Sequence, residues 1–447
     1  MPQNQKNKYR IENSGPKTNN LIGGLVADQA GEIFELDGYA AVGMDGPVLE
    51  SLSVNQTRKI PYGSELMYLP DRKPILYNLA TRSYETLHEN PHAPGESIYP
   101  VAAFNSPGYV ISYISAYEEN QDAGYLPLFS YGAVGWHRGH FRTAVVLVDP
   151  EPRQDLRQMK REDVIAGVKI MRQNLPANRL RVHLENCALQ YGCPAAKNFF
   201  LGRYEAPLPT AKQCNAHCLG CLSLQKETGI PHSQDRISFT PSPAEIAQVA
   251  LAHIDRVKNS VVSFGQGCEG DPLLAADVIE PAIRQIRSQT QHGTMNMNTN
   301  GSRPEVLKQL FDAGLDSIRI SMNSVREACY QAYFRPTGYR FGDVLKSIGM
   351  ALARQKFVAV NYLNSPGFTD TPQEIEALTR FLNTYPIHLI QWRNLNFDPI
   401  RYWNEMNAAD THGEPIGMEK LLNRIRKQYP KLKFGYFNSP KENFSKK

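Results

Sequence analysis

The chain reads as an α/β protein, with a mostly β N-terminal domain followed by a partial (β/α)6 barrel. Three observations predict this. Residues 21–149 carry short apolar stretches between Gly- and Pro-rich turns, at 109–114 and 143–148 among others, which is the pattern of paired strands. From about 205 to 396 the texture changes to strands alternating with capped helices. Near the start of that second region, Cys214, Cys218 and Cys221 form a loop spaced C-x3-C-x2-C.

The elements follow in order. Residues 1–20 are polar and read as a disordered leader. The β domain occupies 21–180 and ends in a helical stretch near 161–174. A connector at 181–206 holds Cys187 and Cys193. In the barrel, 207–396, a first strand precedes Cys214. Ser242-Pro243-Ala244-Glu245 is a capping box with Pro at the first helical position, and it opens a helix to about 257. A strand at 261–264, a Gly-rich turn and a helix at 273–290 come next. The strand 294–298 leads into Thr299-Asn300-Gly301, and Ser302 with Glu305 is expected to cap the following helix. Strands at 317–321, 357–362 and 389–393 alternate with helices at 341–354 and from Thr371-Pro372 to about 382. Six β/α units stop two short of a closed eight-unit barrel. A helical extension and basic tail fill 397–447.

Composition limits the function classes. The chain has 447 residues, 41% hydrophobic and 21% charged, with a net charge of +5, as in a globular protein of two or three domains. No apolar run reaches the roughly 18 residues of a membrane span, so no membrane partner is expected. Seven clustered cysteines do not make a disulfide scaffold and point to the reducing cytoplasm. The basic residues are scattered, and Lys441, Lys446 and Lys447 read as a solvated end, which argues against nucleic acid as partner.

Three thiolates this close converge on one metal centre and leave a coordination position open, the arrangement of a catalytic site. From the cysteines alone two metals stay open. One is an iron–sulfur cluster. The other is zinc, with Cys193 or His217 as fourth ligand.

Placed after a first strand, ahead of six β/α units and a turn Gly265-Gln266-Gly267-Cys268-Glu269-Gly270-Asp271-Pro272, the loop resembles the radical S-adenosylmethionine (radical SAM) superfamily over residues 207–396. The resemblance implies that Cys214, Cys218 and Cys221 hold a [4Fe–4S] cluster whose fourth iron binds S-adenosylmethionine. One electron then cleaves that cofactor to a 5′-deoxyadenosyl radical, which abstracts hydrogen from a substrate. It further implies cofactor contacts from Gly265, Gln266 and Gly267, and from Asp271, the match to the family's Glu-Pro pair, with Glu269 as the alternative. Asn298 and Asn300 end the third strand. Period-two alternation puts Ser317, Arg319, Ser321 and Asn323 on one face of the fourth strand, the face the family uses for carboxylate and ribose. Asn361, Gln391 and Arg393 extend the set to the fifth and sixth strands.

The chain departs from the family pattern at two places. Gly220 stands where an aromatic often precedes the third cysteine. Cys268 lies inside the cofactor turn and is the candidate catalytic residue, as a thiyl site or methyl acceptor; a cluster neighbour or a small buried residue are the other readings. Cys187 and Cys193 are too few for a second [4Fe–4S] cluster, and Cys329 reads as packing. An external one-electron reductant of flavodoxin or ferredoxin type is implied. The substrate is unidentified. Peptide or protein modification is preferred, because the large N-terminal domain, with Tyr99, Tyr125 and Tyr131 as groove or core residues, is suited to recruit a partner. An RNA-modifying enzyme and a non-catalytic iron–sulfur electron-transfer or redox-sensing protein are the alternatives.

Overall fold

The computed structural model describes residues 10–11, 20–151, 153, 155–225, 229–230 and 232–445. Most of the expected leader, and Lys446 and Lys447 of the basic tail, lie outside the described residues. Compactness divides the chain differently from the five sequence segments. One unit is Met1–Pro150, Asn364–Ala377 and Asn394–Gln428; the other is Glu151–Leu363, Leu378–Arg393 and Tyr429–Lys447.

The first unit is built on a 14-stranded, mostly antiparallel sheet. Gly23–Ala27 pairs with Ile33–Ala40, and Tyr99–Phe104 lies against both Glu65–Tyr68 and Gly132–His137. Gly23–Ala27, Tyr99–Phe104 and Gly132–His137 are buried along most of their length, while the apolar stretches near 109–114 and 143–148 pair separately, as Tyr109–Ile111 with Val145–Leu147. Tyr117 and Tyr131 are fully buried in a core beside Met44, Ile75 and Ile114. Of the tyrosines weighed from sequence, Tyr131 is therefore core, Tyr99 packs on Tyr68 at 5.7 Å, and Tyr125 is exposed. A buried ion pair anchors the helix Pro399–Ala409 in this unit. Asp398 Oδ2 accepts from Arg72 Nη2 at 3.1 Å and from the Leu126 amide at 3.1 Å, while its other oxygen caps the helix at Arg401.

The second unit starts with three helices, α1 (Arg161–Asn174), α2 (Arg179–Leu189) and α3 (Pro194–Leu201). The Asn178 side chain caps α2, and Pro194 takes the first position of α3, directly after Cys193. A seven-stranded sheet follows in simple sequence order: Glu205–Pro207, Val261–Phe264, Thr294–Thr299, Ser317–Met322, Phe357–Asn364, Leu389–Asn394 and Lys433–Gly435. Parallel pairing joins the first through fifth strands and again the sixth and seventh. The connections carry α4 (Pro243–Ile254), α5 (Ala276–Gln289), α6 (Pro304–Ala313), α7 (Glu327–Phe334), α8 (Phe341–Ala353) and α9 (Pro372–Thr384). This is the expected partial (β/α) barrel, with a short seventh strand added to the six units.

Local chemistry explains where the helices begin. Ser242 and Glu245 form the capping box of α4 as expected. The start of α6 differs from expectation. Arg303 takes the cap position, without a side-chain cap bond, and Pro304 opens the helix. Ser302 is engaged in the loop instead: its amide donates to Asn300 Oδ1 at 3.0 Å and its hydroxyl accepts from Asn215 at 3.0 Å. Among the described residues, no helix is long and apolar enough to cross a membrane.

Candidate metal centre and cofactor site

Strand polarity brings the chemistry to one end of the parallel sheet. The cysteine loop follows the first strand, the Gly-rich turn follows the second, and Asn300 follows the third. In parallel α/β sheets this carboxyl end is where ligands bind.

Backbone bonds set the shape of the cysteine loop. The amides of His217 and Leu219 donate to the carbonyls of Phe334 and Tyr333 at the end of α7, at 2.9 and 3.0 Å, and Thr337 donates back to Asn215 at 2.8 Å. The turn grips the other side of the loop: the amides of Gly270 and Asp271 donate to Ala211 and Gln213 at 2.6 and 2.9 Å. This approach requires glycine, since a Cβ on Gly270 would stand 1.9 Å from the Gln213 carbonyl oxygen. Gly265 is under the same constraint. Its φ is +79°, and a Cβ there would meet the Asn298 carbonyl at 1.8 Å.

Both acids of the turn are buried and fully engaged. Glu269 Oε2 accepts from the amides of Thr210 and Ala211 at 2.7 and 2.9 Å, and its Oε1 accepts from those of Gly265 and Gln266 at 2.7 and 2.8 Å. Burial pushes its carboxyl up to about 7 despite these four donors. Asp271 accepts from the amides of Leu273 and Asn300 and from the Thr299 hydroxyl, and burial raises its carboxyl too. Glu269 thus ties the lead-in of the cysteine loop to the turn, and Asp271 ties the turn to the third strand.

The donor chemistry fits a metal centre. Burial, then the nearby Asp271 charge, pushes the Cys214 thiol up to about 12, and burial drives Cys218 well above its ordinary value. Thiols so placed become thiolates when a metal's positive charge compensates them. Arg236 stands beside the third cysteine, its Nη2 3.4 Å from Cys221 Sγ. A lone zinc ion would gather sulfurs about 3.8 Å apart. Among the described residues, the set of three ligating side chains that closes to within 4.8 Å is a different one, His183, Cys187 and Cys268.

Polar side chains of successive strands form a connected network. Ser317 donates to Asn296 at 2.8 Å, Asn296 to Asn298 at 2.8 Å, and Asn298 to the Gly265 carbonyl at 2.9 Å. Asn438 donates to Glu205 at 2.6 Å and to Ser263 at 3.1 Å, and accepts from Arg319 Nη1 at 3.2 Å. Burial, then the Arg393 charge, lowers the Arg319 guanidinium to about 10. Arg393 itself lies over the Tyr436 ring at 4.5 Å. Several polar atoms here have no partner: both amide atoms of the fully buried Gln391, Arg319 Nε and Asn361 Oδ1. Leaving such groups unpaired is costly, so a ligand is their natural complement.

The residues singled out from sequence thus separate by position. Gly265, Gln266, Glu269, Asp271, Asn298 and Asn300 form one bonded patch with the cysteine loop, and Gly267 lies within the same turn, beside the Gln234 side chain. Arg319, Ser321, Asn361, Gln391 and Arg393 sit on the fourth to sixth strands, where the Asn361 amide donates to Ser321 at 3.4 Å. Asn323 is turned to the Cys329 carbonyl of α7 at 3.1 Å. Cys268 Sγ contacts His183 Nε2 at 3.4 Å. Sequence reasoning missed Arg236, Glu205, Ser263, Asn296 and Asn438. Only Ser263 and Asn296 had a signal, as polar residues within otherwise buried strands.

Residues 208–382 match the family model described as the Radical SAM superfamily. A GTP 3′,8-cyclase of Heliobacterium modesticaldum is 28% identical over 181 residues, covering 40% of this chain and 50% of that protein. An uncharacterized protein of Methanocaldococcus jannaschii is 27% identical over 179 residues, covering 38% and 60%. The chain thus spans about half the length of the curated relatives it matches. Among solved structures, HydG, a maturase of the [FeFe]-hydrogenase, is similar over 63% of this chain and 65% of that one, at 15% identity and a TM-score of 0.36. Proteins of the superfamily bind a [4Fe–4S] cluster and S-adenosylmethionine, and the half-buried cysteines of the loop and the turn at 265–272 fit that chemistry. Over residues 208–382 the chain thus matches the radical SAM superfamily, in keeping with its partial barrel and its cysteine loop.

Proposed function

We propose that the chain is a radical SAM enzyme in which Cys214, Cys218 and Cys221 ligate the [4Fe–4S] cluster, acting on a substrate that presents a carboxylate or phosphate. When bound, the cluster and S-adenosylmethionine supply one-electron cleavage to a 5′-deoxyadenosyl radical, which takes hydrogen from the substrate. The single observation behind the substrate class is the arginine pair. Arg319 and Arg393 are close enough for the Arg393 charge to lower the Arg319 guanidinium, and Gln391, two residues before Arg393 on the sixth strand, leaves both amide atoms unpaired. A guanidinium pair recognises carboxylate or phosphate by charge-assisted bonds.

The protein's own residues do the positioning. Arg236 counters the charge of Cys221, the Glu269 and Asp271 bonds hold the turn against the loop, and Asn298 and Asn300 fix the strand ends. A peptide side chain or terminus and a phosphorylated small molecule both satisfy the arginine pair. The similarity to GTP 3′,8-cyclases supports the second, and the sequence preference for peptide modification the first. An external flavodoxin- or ferredoxin-type reductant would supply the electron. The seven unbridged cysteines support a reducing cytoplasm.

The test is anaerobic reconstitution with iron and sulfide, followed by S-adenosylmethionine and dithionite. The expected product is 5′-deoxyadenosine by chromatography, abolished in Cys218→Ala together with the brown colour. An intact, reducible cluster that cleaves no cofactor, even with cell extract present, would sink the enzyme reading and favour an electron carrier.

A further inference from the structure

A second group of metal-ligating side chains lies outside the cysteine loop. His183 and Cys187 stand four residues apart on α2 and so share one face. Cys268 meets them from the turn after the second strand. Its Sγ is 3.4 Å from His183 Nε2, and Cys187 Sγ is 3.5 Å from the same nitrogen. The three ligand atoms lie within 4.8 Å of one another. A tetrahedral zinc ion, with bonds of about 2.3 Å to sulfur and 2.0 Å to nitrogen, has N–S edges of about 3.5 Å and S–S edges of about 3.8 Å. The two observed N–S edges are of that size, and the S–S edge lies within 4.8 Å. Both cysteines are buried, at 1% and 5% exposure, and the Phe239 ring packs edge-on against His183.

A fourth donor is close by. The Cys193 amide donates to the Cys187 carbonyl at 3.0 Å, which holds Cys193, at the start of α3, beside the end of α2. We infer that His183, Cys187 and Cys268, completed by Cys193, form a second metal site, for a single zinc ion, distinct from the loop of Cys214, Cys218 and Cys221. Soft thiolates with one imidazole suit zinc in its four-coordinate structural form. Binding forms three Zn–S bonds and one Zn–N bond, releases the three thiol protons to solvent and changes no oxidation state. The ion would fasten α2 and the start of α3 to the turn that carries Glu269 and Asp271. It is a positioning site.

The experiment measures zinc and iron together, by elemental mass spectrometry, on the full-length, anaerobically reconstituted chain. The expected result is about one zinc per chain beside the cluster iron. Cys187→Ser and Cys268→Ser should each lower zinc about tenfold and leave iron unchanged, while Cys329→Ser keeps both. A readout on the unaltered chain stands apart from any folding defect of the variants. Chain produced without zinc and given cobalt(II) should develop the visible bands of a tetrahedral cobalt thiolate. The inference is overturned if the unaltered chain holds neither zinc nor tetrahedral cobalt. It also fails if Cys187→Ser or Cys268→Ser loses iron in place of zinc, or if non-reducing peptide mapping finds Cys187 and Cys268 joined as a disulfide.

Discussion

Gly270 shows how little freedom the site leaves a single residue. Its amide bonds to Ala211, and the space above its Cα is taken by the Gln213 carbonyl. A methyl group there must push the turn off the cysteine loop, a shift costing about 1–3 kcal/mol if the fold survives. Gly270→Ala is therefore expected to lower iron content after reconstitution severalfold, with far-UV circular dichroism unchanged; full iron loading would show that this contact does not position the loop. Cys268 teaches a second lesson at this scale. Its place beside the cofactor turn suggested radical chemistry from sequence. Its actual neighbours, His183 and Cys187, lie 85 and 81 positions earlier in the chain, and no local pattern joins the three.

At the scale of elements, α4 carries a titrating group in the wrong place for acid. His253 is fully buried on this helix, with Nε2 3.3 Å from the Tyr204 carbonyl. Burial lowers its imidazole from 6.5 to about 4. The unfolded chain therefore takes up the proton first. The stability from keeping His253 neutral is complete above pH 6.5 and is lost as pH falls towards 4, by up to about 3 kcal/mol. Urea midpoints at pH 7 and 4.5 should differ strongly for the natural chain and less for His253→Gln; equal pH dependence in both would place the acid sensitivity elsewhere. A second element rests on charge. Arg72, 3% exposed, supports the helix Pro399–Ala409 through Asp398. Arg72→Met leaves a buried carboxylate short of its cation, and a loss of about 3–5 kcal/mol is expected in chemical denaturation; a loss under 1 kcal/mol would show the pair to be dispensable.

Elements of this kind were legible in uneven degree. The α4 start was readable because Ser242 and Glu245 satisfy each other's backbone across three residues. The barrel strands were readable because short strand runs, such as Ser317–Met322 with its polar and apolar residues in alternation, recur between capped helices. The seventh strand, Lys433–Gly435, is three residues long and carries no such run, so only its pairing with Leu389–Gln391 reveals it. Ser302 had the right spacing for a cap, but its amide goes to Asn300, two residues back, and its hydroxyl to Asn215, a tertiary partner 87 residues away. The links Arg236–Cys221 and Asn438–Glu205 were invisible for the same reason: each joins residues that only the folded chain brings together.

For the whole molecule, the chain passes between its two compact units after residues 150, 363, 377, 393 and 428. Neither unit is one continuous stretch, and in the first Arg72 pairs with Asp398, far along the chain, as well as with Glu119. A fragment ending at residue 150 is therefore expected to be insoluble or to lack a cooperative thermal transition, whereas sharp, reversible melting of that fragment would refute this. The bonds of Glu269 carry a consequence for how the protein matures. One carboxylate gathers four amides from two separate segments, so protein atoms alone specify the shape of the cysteine loop. Metal insertion then meets a receptacle already formed. Its speed should be governed by how iron and sulfide reach Cys214, Cys218 and Cys221 rather than by a folding step that waits for them.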